Sequence, residues 1–142
     1  MTEYSVHSIG AIRNGRQRSR IEIDKPYLEA MDGLESFSHI YVFYWFHEND
    51  NEEGRSRLKV NPCKNPENPL TGVFATHSPL RPNPIGMTRC RITGLDRKKG
   101  IIFIDQIDAF DGSPLIDIKC YVPPNDEDEK FTVPDWKWKK PS

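Results

Sequence analysis

Four short polar clusters in this 142-residue chain carry side chains able to bind ligands or move protons: His47-Glu48, Thr76-His77-Ser78, Arg81 to Gly86, and Asp108 to Asp111. Ser78, His47 or His77, and Asp108 have the residue types of a nucleophile–base–acid relay. A strand-to-helix G-x-S-x-G turn, which would expose such a serine, does not occur. His47, His77, Asp108 and Asp111 are metal-donor types, but they lack a ligand-spacing signature. Two of the clusters share one stretch, Gly72 to Gly86, which reads GVFATHSPLRPNPIG. Pro82 and Pro84 each hold φ near −65° and push the preceding residues, Arg81 and Asn83, toward extended backbone. A segment this stiff loses little entropy when it binds. It is read as either a Pro-rich structural loop or the fixed wall of a ligand site.

The elements that must position these clusters are mostly short strands. YSVHSIGAIR (4–13) reads as a strand with a bulge at Gly10. Arg20 to Ile23 is extended with Ile21 and Ile23 on one face, and Asp24 is set to cap a short helix that carries Pro26 and ends at Gly33. HIYVFYWFH (39–47) is the strongest strand, central and covered on both faces, with Ile40, Val42, Tyr44 and Phe46 opposite Tyr41, Phe43 and Trp45. A polar excursion from Glu48 to Leu70 follows, in which only Leu58 to Val60 looks able to pair. Gly72 to Ala75 reads as a short strand, Met87 to Leu95 alternates, Arg97 to Gly100 turns, and Ile101 to Ile107 returns. Leu115 to Val122 is the last strand. The expected fold is mainly β: a single-domain antiparallel β-barrel or rolled sheet over residues 1–122, with one or two short helices and no Rossmann fold. Residues 123–142 form an acidic tail, held loosely unless Trp136 and Trp138 dock. If the strands form one sheet, the four polar clusters, all at strand ends or turns, gather at one rim.

Net charge is −1, so there is no global basic field for nucleic acid, and an RNA partner needs a local patch. RNGRQRSR (13–20) offers one in Arg13, Arg16, Arg18 and Arg20, whose guanidinium forks suit phosphate. A solvated charged loop is the competing reading. Cys63, Cys90 and Cys120 are odd in number and unpaired in spacing, which argues for a reducing cytoplasm rather than a disulfide framework or a zinc site. Cys90 and Cys120 are expected to be buried, Cys63 exposed. No apolar run approaches the roughly 20 residues of a membrane span, and MTEYSVHSIG is not patterned as a signal peptide.

SIGAIR, GLESFSHIYVFYWFHEN, GVFATHSPLRPNPIGM and IDQIDAFDGSPLIDIKCYVP follow one another in that order across residues 6–123. In that order they resemble the signature stretches of the TsaA-like family, the TrmO-type tRNA methyltransferases. The resemblance implies a β-barrel that binds S-adenosylmethionine, works as a homodimer without a metal, and methylates N6 of threonylcarbamoyl-adenosine beside a tRNA anticodon. Carried over by position, it implies cofactor contacts from His47, Glu48, His77, Met87, Cys90, Asp108, Ala109, Phe110 and Asp111. The reaction itself would involve Arg81, Asn83 and His77. Methyl transfer from a sulfonium is an in-line displacement in which alignment dominates. Carboxylates or an aromatic face suit the cationic cofactor, and His77 or an aspartate can accept the proton. The chain departs from the family pattern in four ways: His77 stands where arginine is usual, Arg13 to Arg20 and a short helix replace the early loop that helps hold cofactor in longer members, Cys120 replaces a proline, and an acidic tail follows the barrel where longer members carry an RNA-recognition domain.

Overall fold

Alternating β-branched residues make the wall of this fold, because each strand must bury one face. The computed structural model describes residues 1–16, 18–125 and 130–138. The strands are β1 (Gly10–Arg13), β2 (Arg20–Ile23), β3 (His39–Trp45), β4 (Lys59–Val60), β5 (Thr71–Gly72), β6 (Ile85–Asp96), β7 (Ile101–Ile104) and β8 (Pro114–Cys120), and the α-helix α1 spans Glu52–Ser56. Six of the strands close an antiparallel barrel in the order β1-β2-β7-β6-β3-β8, and β4-β5 form a separate two-stranded ribbon. Closure leaves the wall no free edge.

The interior is filled by Ile12, Ile21, Ile23, Ile40, Val42, Tyr44, Cys90, Ile102, Ile104 and Leu115. Each fully buried isoleucine contributes about 1.5–3 kcal/mol relative to exposure. Met31, from a 3-10 segment over Lys25–Met31, plugs one mouth, while Ile107 and Ala109 plug the other. β3 pairs β6 from His39↔Arg91 to Trp45↔Ile85, and it pairs β8 on its other side, with a register shift between Phe43 and Tyr44.

Strand directions sort the connections. β1, β3 and β7 end, and β2, β6 and β8 begin, at one rim. Loop 14–19, the excursion 46–84 and the turn 105–113 therefore share that mouth, as the one-sheet condition requires. The other mouth holds the 24–38 connection and the 97–100 hairpin.

Several local expectations change. Regular strand starts only at Gly10, and Gly10 is not bulged. It pairs in register with Ile23, and a Cβ there would strike the Glu22 carbonyl. Asp24 makes no side-chain cap; its carbonyl accepts from the Tyr27 amide at 2.9 Å and starts a 3-10 turn, which closes at Asp32 with Gly33 left-handed beyond it. β3 is central, yet Tyr41, Phe43 and Trp45 stay half-exposed because nothing packs fully over the barrel's outside. The excursion contains α1, whose N-cap Asn51 accepts the Gly54 amide. Strand character stops at Gly72, and Val73–Ala75 form a 3-10 turn. β7 ends at Ile104, three residues short of the expected strand. Cys120 is exposed at the far end of β8, where the barrel opens, while Cys63 is exposed and Cys90 buried.

The tail is held by Phe131, not by the tryptophans. Phe131 lies 4.6 Å from His39 and 4.8 Å from Tyr121, and Ser38 donates its amide to the Thr132 carbonyl at 2.9 Å. Trp136 and Trp138 remain exposed. The acidic run 126–129 lies outside the described residues.

Candidate functional site

Asn14 is the residue that assembles the rim. Its side-chain amide donates to the carbonyls of Ile107 at 2.9 Å and Ala109 at 2.7 Å, while its backbone N–H donates to Asp111 Oδ1 at 2.9 Å. Ser19 Oγ donates to Asn14 Oδ1 at 2.8 Å, fixing the orientation of that amide. The Gly112 N–H reaches the Ile12 carbonyl at 2.7 Å from a left-handed φ of 82°, which a glycine adopts without strain. Together these bonds fix the Asp108–Asp111 turn against loop 14–19. The sequence showed Asn14 only as half of an Asn-Gly turn, and nothing local signals that its side chain reaches 95 residues along the chain.

Tyr44 is the second joint. Its hydroxyl donates to the Asp108 carbonyl at 3.2 Å, which leaves Thr88 Oγ1, at 3.0 Å, to donate to it. Burial raises the phenol's pKa and keeps the donor protonated. β3, β6 and the aspartate turn thus meet inside the barrel at one ring. In the sequence, Tyr44 was only one apolar position of a core strand.

The stiff stretch is locked from within. Arg81 donates from one guanidinium nitrogen to the carbonyls of Thr76 at 3.1 Å and Ser78 at 3.0 Å, and from another to Val73 at 3.1 Å. The loop's own backbone engages this arginine, so it shapes the wall. The Ser78 hydroxyl accepts the Leu80 amide at 3.1 Å, Thr76 Oγ1 accepts the Ser78 amide, and no hydrogen bond joins Ser78 to His47, His77 or Asp108; the relay is not assembled. Pro84 is buried, and its carbonyl accepts the Phe46 amide at 2.8 Å, tying the wall to the end of β3 beside His47 and Glu48. Outside it, Asp50 accepts from Arg55 Nε at 2.6 Å and Trp45 Nε1 at 2.9 Å, and both bonds hold its carboxyl below the usual range, Arg55's the more.

His47, Glu48, His77, Asn83, Asp108, Phe110 and Asp111 are all exposed, on connections that leave from and return to this rim. Met87 and Cys90 lie on opposite faces of β6. Met87 is 43% exposed, while Cys90 is buried with its thiol 3.4 Å from the Gln106 carbonyl, and burial pushes that thiol's pKa to about 12. Ala109 is also buried, offering the rim its backbone. The four arginines do not form a free patch. Arg13 and Arg20 both engage Glu22, at 2.7 and 3.4 Å, and Arg18 bonds Thr93 at 2.6 Å with its guanidinium 4.5 Å from the Phe103 ring centre. Arg13's hydrogen bond holds the Glu22 carboxyl below its ordinary pKa. Arg16 alone of the four points to solvent without such a contact among the described residues.

No three His, Cys, Asp or Glu side chains cluster as metal donors among the described residues. The carboxylates of Glu48 and Asp108 enter no ion pair there, and Phe110 is exposed in the same turn as Asp108 and Asp111. Unspent carboxylates with an aromatic face make a donor set that suits a cationic ligand. A cleft of about 370 Å³ opens next to the rim, on the barrel's outer side, between Tyr4, Val6 and Ser8 of the N-terminal segment and Trp45, Pro114 and Ile116. A cleft of similar size at the opposite mouth lies beside the Asp32–Arg97 ion pair, away from every polar cluster described above.

The sequence model of the tRNA-methyltransferase O N-terminal domain matches residues 9–127. The chain belongs to the tRNA-methyltransferase O N-terminal domain family. A probable S-adenosyl-L-methionine-binding protein of Methanocaldococcus jannaschii is 45% identical over 118 residues, covering 83% of this chain and 92% of that protein. The tRNA (adenine(37)-N6)-methyltransferase of Escherichia coli is 40% identical over 97 residues, 67% of this chain and 40% of that enzyme. A crystal structure of TrmO superposes with a TM-score of 0.66 at 34% identity, covering 89% of this chain and 61% of the solved one. This tRNA-methyltransferase O domain therefore spans about three fifths of the solved chain it matches. No helix among its described residues is long and apolar enough to cross a membrane.

Proposed function

We propose that this protein is a cytoplasmic, S-adenosylmethionine-dependent methyltransferase that modifies N6 of a tRNA adenosine, specifically the threonylcarbamoyl-adenosine beside the anticodon, and that it works as a homodimer. The observation that carries this reading is the gathering of the Pro-rich wall, the His47-Glu48 corner and the aspartate turn at one barrel mouth, pinned by Asn14, Tyr44 and Arg81. The relatives, an S-adenosyl-L-methionine-binding protein and tRNA (adenine(37)-N6)-methyltransferases, support the cofactor and the adenine N6 acceptor.

When bound, S-adenosylmethionine supplies an electrophilic methyl group on a cationic sulfur. Glu48, Asp108 and Asp111 suit its positive groups, with Phe110 as an aromatic face; His47 and Met87 border them. Ala109 contributes backbone, and Cys90 packs behind the mouth. His77 and Asn83 are exposed polar groups of the wall whose types suit the acceptor base, and we assign to His77 the proton that N6 loses. Arg81 keeps the wall's shape, so its part in the reaction is positional. Because the displacement depends on alignment, a wall with most of its backbone bonds satisfied is the useful feature.

Calorimetric titration with S-adenosylmethionine and S-adenosylhomocysteine tests the reading first, and no measurable binding would sink it. Incubation with methyl-labelled cofactor and tRNA, with and without the threonylcarbamoyl group, then tests the acceptor. Label on unmodified tRNA alone would remove threonylcarbamoyl-adenosine as the substrate.

A further inference from the structure

We infer that the outward face of β8, β3 and β6, not the 13–20 loop, is the surface on which the substrate's phosphate backbone docks. The inference rests on the tRNA reading above. Pairing registers place Lys119, Tyr41 and Arg89 in one cross-strand row and His39 and Arg91 in the next. Tyr121 and Phe131 close the end of this face, and the Arg89 guanidinium lies 4.8 Å from the Tyr121 ring centre and 5.0 Å from that of Phe131.

Arg89, Arg91 and Lys119 are exposed, and among the described residues none of them is in an ion pair. Arg13, Arg20, Arg55, Arg57 and Arg97 are each paired with a carboxylate. On this face unpaired cations alternate with aromatic rings, the combination that holds a nucleic-acid strand by phosphate contact and base stacking. Two exposed carboxylates lie nearby, Asp105 accepting the Arg91 amide and Asp117 the amide of Ile118, and three cations outnumber them. Toward the site, the same face becomes apolar through the facing pairs Phe43–Met87 and Trp45–Ile85. Ile85 to Arg91 spans about 20 Å of strand at roughly 3.3 Å per residue. A strand of RNA can thus leave the mouth along it and meet the cations several nucleotides away. A second copy of the chain is the poorer occupant, because a two-fold contact would bring this basic face near its own like charges.

The test uses the full chain and total tRNA, with binding followed by fluorescence anisotropy between about 50 and 200 mM salt. Arg91→Gln combined with Lys119→Gln removes two cations that make no ring contact. Arg89→Gln is examined separately, because it also loosens Tyr121 and Phe131. The double variant is expected to flatten the slope of log affinity against log salt by about 1.5, two phosphate contacts at roughly 0.7–0.9 each, with S-adenosylmethionine titration unchanged. An unchanged slope, or a wild-type chain that does not bind tRNA, overturns the proposal. So does an unchanged slope with dissociation to monomers in sedimentation, which would make the face a subunit seam. A wild-type chain that binds tRNA with the expected slope but not S-adenosylmethionine leaves this face standing and removes the methyltransferase reading.

Discussion

Arg81 shows how a residue of catalytic type can serve as scaffold. Its guanidinium closes three carbonyl contacts inside one loop. Arg81→Ala should cost about 2 kcal/mol in chemical denaturation, because partly buried carbonyls lose a charged donor. Arg81→Lys should recover little of that, since an ammonium lacks the planar fork. Cysteine chemistry divides in the same residue-by-residue way. Cys63 and Cys120 are exposed, whereas the Cys90 thiol is buried with its pKa pushed to about 12. Iodoacetamide at pH 8 should label the first two in the native protein and reach Cys90 only after unfolding, as mass spectrometry of peptides would show. Rapid native labelling of Cys90 would contradict its placement inside the barrel.

Elements meet at a few close approaches, and substitutions there test the assembly of the mouth. A Cβ at Gly86 would come within 2.7 Å of Tyr44 Cζ and 2.9 Å of Phe46 Cζ. Gly86→Ala should therefore displace the Tyr44 ring, break its bonds to Thr88 and Asp108, and lower stability by about 1–3 kcal/mol. Asn14→Ala removes the two carbonyl contacts that hold the aspartate turn. The expected result is a loss of about 2 kcal/mol of stability with weaker S-adenosylmethionine binding in titration. Hydrogen exchange should rise at residues 105–113 while β3 stays protected; uniform exchange across the barrel would argue against so local a role.

At the scale of the molecule, the C-terminal segment is joined to the barrel through His39. Burial first, then the neighbouring Arg89, holds the His39 pKa below its ordinary value of 6.5. The neutral ring is therefore the form the fold prefers. Its contribution is fully present above pH 6.5 and is lost as pH falls toward the depressed folded value. The thermal midpoint should fall between pH 7.5 and 5.5, and His39→Gln should flatten that dependence. Identical pH profiles would remove His39 as the sensitive group. Glu22, with its folded pKa lowered chiefly by the Arg13 hydrogen bond, contributes above its ordinary value of 4.5 and loses its effect only in more acid solution, so the two windows separate.

Residue type is local, and it was enough to reveal a mostly β fold: HIYVFYW reads as a strand because it is a short run of β-branched and aromatic residues. The stiffness of Arg81 to Pro84 was equally legible, since proline acts on its own dihedral and its neighbour's. The family stretches further made the candidate site readable as a set of positions. Contacts between distant segments were not legible. Asn14 beside Ala109, Tyr44 beneath Asp108, Glu22 holding Arg13 and Arg20, and Phe131 against His39 follow from the order in which the strands close. A cluster of arginines in the sequence indicates charge, but not whether a carboxylate across the strand has already taken it. Only tertiary pairing determined that Arg13 and Arg20 are taken by Glu22 while Arg91 on β6 and Lys119 on β8 enter no ion pair among the described residues, because a side chain's availability depends on neighbours that chain order does not reveal.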